Sequence, residues 1–567
     1  MDLPKMTRRD FTKSLALGMG SLAVVTASGP AAAGSKPVDP RRLEDDQPVS
    51  LRFFGSPDAD LLTREFEESF QGVLRKNFVA EAESGFPAGF VHASPRGQIW
   101  GGTMWTRDGG TFMRELVMRG YYEHSALLAE CLIGLVEKNQ AGFYSFPMFF
   151  KGSEPGTVDW PPGMHVTTDL AVPRSGTELD GTASIIIGMV SLWERLPDGH
   201  PAKNHIREFL FQDASPVNYL KFQLKTQPLV PGSGEFGGGI GSPGDYYNVV
   251  QNNLSMLALM AAANMVEESG NKSLAEDDRQ LAVKLRDGME KYLVDQEGGW
   301  IWCINPKTLK PDPAVNNSEA NRGFGGMNGV ACMYSDVLGF EPLASSWKGI
   351  QHCEKTFDRL YHTSVRQQQF DRYGIWTQFD VLGGGLGSSP AYGQGYAIQT
   401  MLLYDKLEMA DKALSWLANA TYRPVPGYKL HRESPYYFCE RTYSPDAVGK
   451  IPLEEGCGAL NLVCVSEPLK VSRLMLGVDD TALPSVRVIP RIPPGWRGVE
   501  ATNWPIRTRR GIARAEIRFE RKGTGGQLTL KLDPGQQIDD LKVRMPSANG
   551  NTWREQKHVS AVSFATQ

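Results

Sequence analysis

Between residues 58 and 480 the chain keeps returning to one pattern: an apolar run at helical spacing, then a loop. "DADLLTREFEESFQGVLRKNF", "LDGTASIIIGMVSLWERL" and "YYNVVQNNLSMLALMAAANMVEES" are three such runs among roughly a dozen. Apolar residues recurring every three to four positions make one face of a helix oily, and that face has to bury itself against a neighbour. Some connections are short, such as "LPDGHPA" and "ESGNKS"; others are long and rich in glycine, aromatic residues and carboxylates, such as "PLVPGSGEFGGGIGSPGD". Helix pairs joined in this way predict a ring of hairpins whose long loops gather on one face. After about residue 480 the period changes. "SVRVIPRIPPGWRGVEATNWPIRTRRGIARAEIRFERKG" and "GGQLTLKLDPG" alternate apolar and polar residues between turn residues, which predicts an antiparallel β-sandwich.

The 567 residues carry 60 Lys+Arg against 64 Asp+Glu, a formal net charge of -4, so no basic surface for nucleic acid is expected. The first 33 residues are different in kind. Arg8-Arg9, Phe11 and Lys13 precede a mildly apolar run that ends at Ala31-Ala32-Ala33. This resembles a twin-arginine export signal, with Thr12 where that pattern usually has leucine. The run is too short and too rich in Gly and Ala for a stable membrane span. Residues 34–50 are polar and Pro-rich and read as a linker. The expected organisation is therefore signal 1–33, linker 34–50, helical ring 51–480 and sandwich 481–567, in a periplasmic or secreted protein. The seven cysteines are scattered without a CxxC pair, and mostly free, buried thiols are expected. No zinc-type His/Cys spacing occurs, and neither a metal nor a cofactor is expected.

Two stretches place chemistry at helix starts. "IWGGTMWTRDGGTF" sets Trp105, Arg107 and Asp108 at the mouth of one helix, and "RSGTELDGTASIII" sets Asp180 at the mouth of another. Acidic residues in these places also serve as helix caps. The ordered pair, W-x-R-D before an early helix and D-G-x-A opening a later one, resembles the six-hairpin glycosidase superfamily, which includes glucoamylases and α-L-rhamnosidases. The "VRVIPRIPPGW" strands resemble the small sandwich that closes rhamnosidase-type enzymes. The resemblance implies a mainly α fold, an (α/α)6 barrel of six helical hairpins followed by a small antiparallel β-sandwich. It also implies a carbohydrate substrate. An indole packs on the apolar face of a sugar ring, and Arg and Asp hydrogen-bond adjacent hydroxyls. Carried over from glucoamylases, Arg107 and Asp108 grip the non-reducing-end sugar, with Trp105 and Asp180 beside them.

Glycoside cleavage with inversion needs two facing carboxyls, one protonating the leaving oxygen and one activating water from the opposite side. "GSGEFGGGIGSPGDYYNVVQNN" offers Glu235 and Asp245 as the acid; Asp245, just before a helix as in glucoamylase-like proteins, is preferred. "SPYYFCERTYSPDAVGKIPLEEGCGALNLV" offers Glu433, Glu440, Glu454 and Glu455 as the base; Glu440 is preferred and Glu455 comes second. One departure is plain: rhamnosidases carry an Asp and a Glu in the stretch before the tryptophan, and "HASPRGQIWGGTMW" has no carboxylate. Three rivals stay open: a polysaccharide lyase on the same toroid drawing on His431, Arg432 and Tyr437, a glycan phosphorylase, and a non-catalytic glycan-binding protein.

Overall fold

The computed structural model describes residues 40–566 except 84, 99, 140, 148, 153–166, 169–178, 233–245, 312–332, 342–346, 363, 377–385, 389, 429–431, 454–455, 457 and 549. Strand β1 (Ser50–Phe54) leads into α1 (Pro57–Lys76). Then follow β2 (Thr103–Trp105), α2 (Thr106–Met118), α3 (Tyr122–Leu135), β3 (Phe149–Lys151), β4 (Thr167–Thr168), α4 (Leu179–Trp193), α5 (Pro201–Phe211) and α6 (Pro216–Thr226). Next come β5 (Tyr247–Asn248), α7 (Val249–Glu268), α8 (Lys272–Tyr292), β6 (Cys303–Ile304), α9 (Gly349–Tyr361), α10 (Ser364–Tyr373) and β7 (Gly387–Ser388). The helical part closes with α11 (Tyr396–Leu403), α12 (Leu407–Tyr422), β8 (Thr442–Tyr443) and α13 (Leu462–Leu476). Helix starts follow from local chemistry. Ser56 and Ser215 accept from the backbone N–H groups of Ala59 and Asn218, and a proline occupies the first turn of α1, α5 and α6, where its missing N–H costs nothing.

Four helices lie side by side and point the same way. Helices α2 and α4 approach through glycine: a Cβ at Gly181 would stand 2.1 Å from Thr106 Oγ1, one at Gly110 would stand 2.5 Å from the Ser184 backbone, and Gly188 faces Gly110 O and Met113. Residue numbers rise together along both helices, so they are parallel. Helix α13 flanks α2 in the same sense. Its first N–H, at Leu462, donates to Ala93 O, whose own N–H donates to Thr103 O just before α2, while lower down Arg473 meets Glu115. On the other side of α4, Ile187, Val190, Ser191 and Glu194 line one small cavity with Ala261 and Asn264 of α7. Ser191 is eleven residues from Asp180 and Ala261 thirteen from Asn248, so α4 and α7 also begin at one level. Helix α7 is long and apolar enough to cross a membrane, but it is buried within this row. Helices α1, α3 and α8 pack against the row, and α12 packs on α1 and α11.

The C-terminal ends of the row are filled with paired charge. Arg473 Nε lies 2.9 Å from both carboxylate oxygens of the fully buried Glu115, and Arg114 Nε and Lys470 Nζ lie 2.8 and 2.6 Å from the two oxygens of Asp336. Burial alone would raise the Asp336 carboxyl; Lys470, Arg114 and Arg473 outweigh it and hold the group well below the usual carboxylate range. Arg195 joins Asp480 at 2.7 Å and Arg507 joins Glu194 at 3.2 Å, so charge also ties α4 to the strands beyond.

Gly477, in the left-handed region at φ 77, ends α13 and turns the chain into strands. One sheet runs β1-β11-β12-β13-β16 and the other β15-β14-β10-β9, where β9 is Val478–Asp479, β10 Ser485–Val488, β11 Gly498–Thr508, β12 Gly511–Lys522, β13 Gly525–Leu532, β14 Ile538–Ser547, β15 Gly550–Val559 and β16 Ala561–Ala565. The ladders are antiparallel except β10 with β14, a parallel pair that the alternation alone does not reveal. Strand β1 also joins the C-terminal sheet, pairing Ser50–Phe54 with Thr502–Gly498, so the chain's first strand and its last part share one layer. Phe53 then stacks edgewise on both Phe66 of α1 and Trp496, with ring centroids 6.0 and 5.8 Å away, and welds sandwich to helices. Cys131, Cys303, Cys353, Cys439 and Cys464 are buried.

Candidate functional site

The N-terminal ends of α2, α4, α7 and α13 form one mouth, and parallel helix dipoles aimed there favour negative charge. Arg107 and Asp108 sit in the first turn of α2, both buried. Asp108 does not cap the helix: Trp105 holds the cap position and makes no side-chain cap bond. Arg107 Nη1 reaches Asp180 Oδ2 at 3.1 Å, and Arg107 Nε stands 3.5 Å from Asp108 Oδ1. Asp180 is fully buried in the first turn of α4, where its Oδ1 accepts from Gly181 N at 2.8 Å. The glycine contacts between α2 and α4 are what allow two residues 73 apart to pair.

Trp105 is half-buried and belongs to β2, opposite Phe149 of β3. Its ring lies 5.0 Å from Phe149 and 5.5 Å from Trp100, the second contact edge-on at 89°. The result is an aromatic wall beside a buried guanidinium held between two carboxylates; Trp105 in that wall is partly exposed, and an indole face suits the apolar face of a sugar. Behind it, His92 Nδ1 accepts from Gly102 N at 3.1 Å; burial pushes this imidazole down to about 4, so it is neutral near pH 7. Trp100, Phe149 and His92 were not singled out from the sequence. His92 and Trp100 both stand in the quoted stretch "HASPRGQIWGGTMW", and Phe149 does not.

Glu440 lies on a strand-like run leading back to α13. Cys439 bridges Ala459, Glu440 N donates to Gly458 O at 2.8 Å, and Leu460 N donates to Phe438 O at 2.8 Å, two residues before α13 begins. Its carboxylate is partly exposed, with Oε2 3.8 Å from Arg441 Nε. The structure thus joins Arg107, Asp108 and Asp180 directly, sets Trp105 on the adjoining strand, and brings Glu440 to the same end of the row. Asp245, Glu235 and Glu455 lie outside the described residues, as do Glu454 and His431. Asn248, three positions after Asp245, is buried and caps α7 by accepting from Gln251 N at 2.8 Å.

No protein-family model and no curated protein matches the chain. Solved structures do. The α-L-rhamnosidase of Aspergillus terreus is 11% identical, with 92% of this chain and 50% of that chain covered and a TM-score of 0.53. The α-L-rhamnosidase of Dictyoglumus thermophilum is 10% identical, with 92% of this chain and 50% of that one covered and a TM-score of 0.52. The chain spans about half the length of these two proteins. At such identity the likeness is one of fold alone.

Proposed function

We propose that the chain is an exported glycoside hydrolase, acting without a cofactor by an inverting acid/base mechanism on an (α/α)6 ring closed by the sandwich of residues 481–567. The observation that carries this reading is the mouth itself: an aromatic wall, an Arg107–Asp180 pair and a partly exposed Glu440 share one end of parallel helices, in a fold otherwise seen in α-L-rhamnosidases. Trp105 and Phe149 take the apolar face of the sugar, and Arg107 with Asp108 and Asp180 hold its hydroxyls. Asp245, or Glu235 in its place, protonates the leaving oxygen. Glu440, or Glu455 in its place, activates water from the opposite side, with the two carboxyls roughly 6.5–9.5 Å apart. The stretch from His92 to Trp105 supplies no carboxylate, so the acid comes from another loop than in rhamnosidases, and the sugar need not be rhamnose.

Incubation with a glycan panel in phosphate-free buffer tests this reading. Release of reducing sugar without added phosphate and without new ultraviolet absorbance is expected. A product double bond would make the protein a lyase, a phosphate requirement a phosphorylase, and binding without release a glycan-binding protein. Lyase chemistry lacks support in the late loop, because Arg432 Nη1 is engaged by the carbonyls of Thr421 and Tyr437. Export by the twin-arginine route is part of the proposal: Arg8→Lys with Arg9→Lys should leave folded protein in the cytoplasm, and normal export of that variant would exclude the route.

A further inference from the structure

We infer that Gly456 is a positioning residue for Glu440: the space its missing side chain leaves is the seat of the Glu440 carboxylate, with Arg441 as the other wall. The inference rests on the reading of Glu440 as the general base. A Cβ built on Gly456 would lie 1.8 Å from Glu440 Oε2, 2.9 Å from its carboxyl carbon and 3.0 Å from Arg441 Nε. Backbone thus packs directly against the carboxylate, and Gly456 adopts φ 67, where a side chain is strained as well as crowded. The rest of the run is pinned to keep the carboxylate there. Cys439 Sγ and Tyr428 Oη both donate to Arg441 O at 2.9 Å, and Thr442–Tyr443 pair with Gly387–Ser388 of β7. With backbone fixed on both sides of Glu440, a methyl group at residue 456 must displace the carboxylate, and the Arg441 side chain beside it leaves little room on that side. A base moved by about 1 Å no longer lines up with its water, a misplacement of the size that costs on the order of 10²-fold in rate.

The test uses the full chain and the glycan that it cleaves. Gly456→Ala is expected to lower kcat by about 10²-fold while KM stays within about twofold. Gly449→Ala is the matched control: Gly449 is on the same loop at φ 75, with nothing within 4 Å of its Cβ position, so it shares the strain without the collision and should keep full kcat. Glu440→Asp shortens the carboxylate by one methylene. It should cost less in the Gly456→Ala background than in the parent, because the shorter group leaves room for the methyl. Wild-type kcat for Gly456→Ala, equal loss in both glycine variants, or additive losses in the double variant would overturn the inference while leaving the base assignment intact. Full activity of Glu440→Gln would overturn both. If Gly456→Ala does not fold, Arg441→Gln decides: a kcat about 10-fold lower at unchanged KM supports the seat, and unchanged kcat overturns it.

Discussion

Two clusters of buried charge share helix α2, eight residues apart along it. At the C-terminal end, Glu115, Arg114, Arg473, Lys470 and Asp336 use one another as partners and face packed protein. At the N-terminal end, Arg107, Asp108 and Asp180 also pair, but beside a half-buried tryptophan and a partly exposed glutamate. Similar residue types therefore do different work according to what closes the cluster. Buried ions stripped of water are tolerated when opposite charges surround them, and the lower cluster, three cations around two carboxylates, is then a register device that makes α13 and α2 start level. The upper cluster is closed on one side by protein and on the other by an aromatic wall, where, under the proposed function, a sugar completes it.

The largest expected effect breaks the lower cluster. Glu115→Gln leaves Arg473 with half its partners in a dry interior and should cost about 3–5 kcal/mol of stability. That loss is read as a lower urea midpoint, with activity per folded molecule retained. A midpoint equal to wild type would show that the lower cluster is not what holds the helices in register.

Acid sharpens the contrast next. The His92 imidazole is held at about 4, below its ordinary value of 6.5, so the unfolded chain takes up this proton first as pH falls. The linked contribution, about 3 kcal/mol, is complete above pH 6.5 and is lost as pH falls through 4. Asp336, held well below the usual carboxylate range, keeps its contribution across that window, so the mouth is the acid-sensitive end. His92→Asn should flatten the fall in urea midpoint between pH 6.5 and 4 relative to wild type; parallel curves would contradict the assignment.

The smallest expected effect concerns the wall. Trp105→Ala removes aromatic contact worth about 0.5–1.5 kcal/mol, so KM should rise roughly 2- to 10-fold with little change in melting temperature. Unchanged KM would take Trp105 off the sugar.

The helical row and the late switch to strands were legible because periodicity is local: "TRDGGTF" and "LDGTASIIIG" announce helix, mouth and glycine face within a dozen residues each. What escaped is set by topology. Glu115 and Arg473 are 358 residues apart and read as ordinary charges on their helices. Ser50–Phe54 falls where the linker was expected to give way to the helical ring, and only its pairing with β11 makes it part of the sandwich. The parallel β10–β14 ladder has the same alternation as an antiparallel one. That Trp105, Arg107, Asp108 and Asp180 sit at helix starts was legible because helix starts carry a sequence signature. Phe149 and His92 were missed because a single aromatic or histidine in a loop has none.

If the mouth does the chemistry while the lower cluster keeps the register, a change at Glu440 separates the two. Turnover and melting temperature of Glu440→Gln, measured together on the glycan that the wild-type protein cleaves, decide it. Turnover should be lower by at least ~10²-fold, on natural and activated aryl glycosides alike, with an unchanged melting temperature. Full turnover, or a loss that only follows a fall in melting temperature, would contradict it.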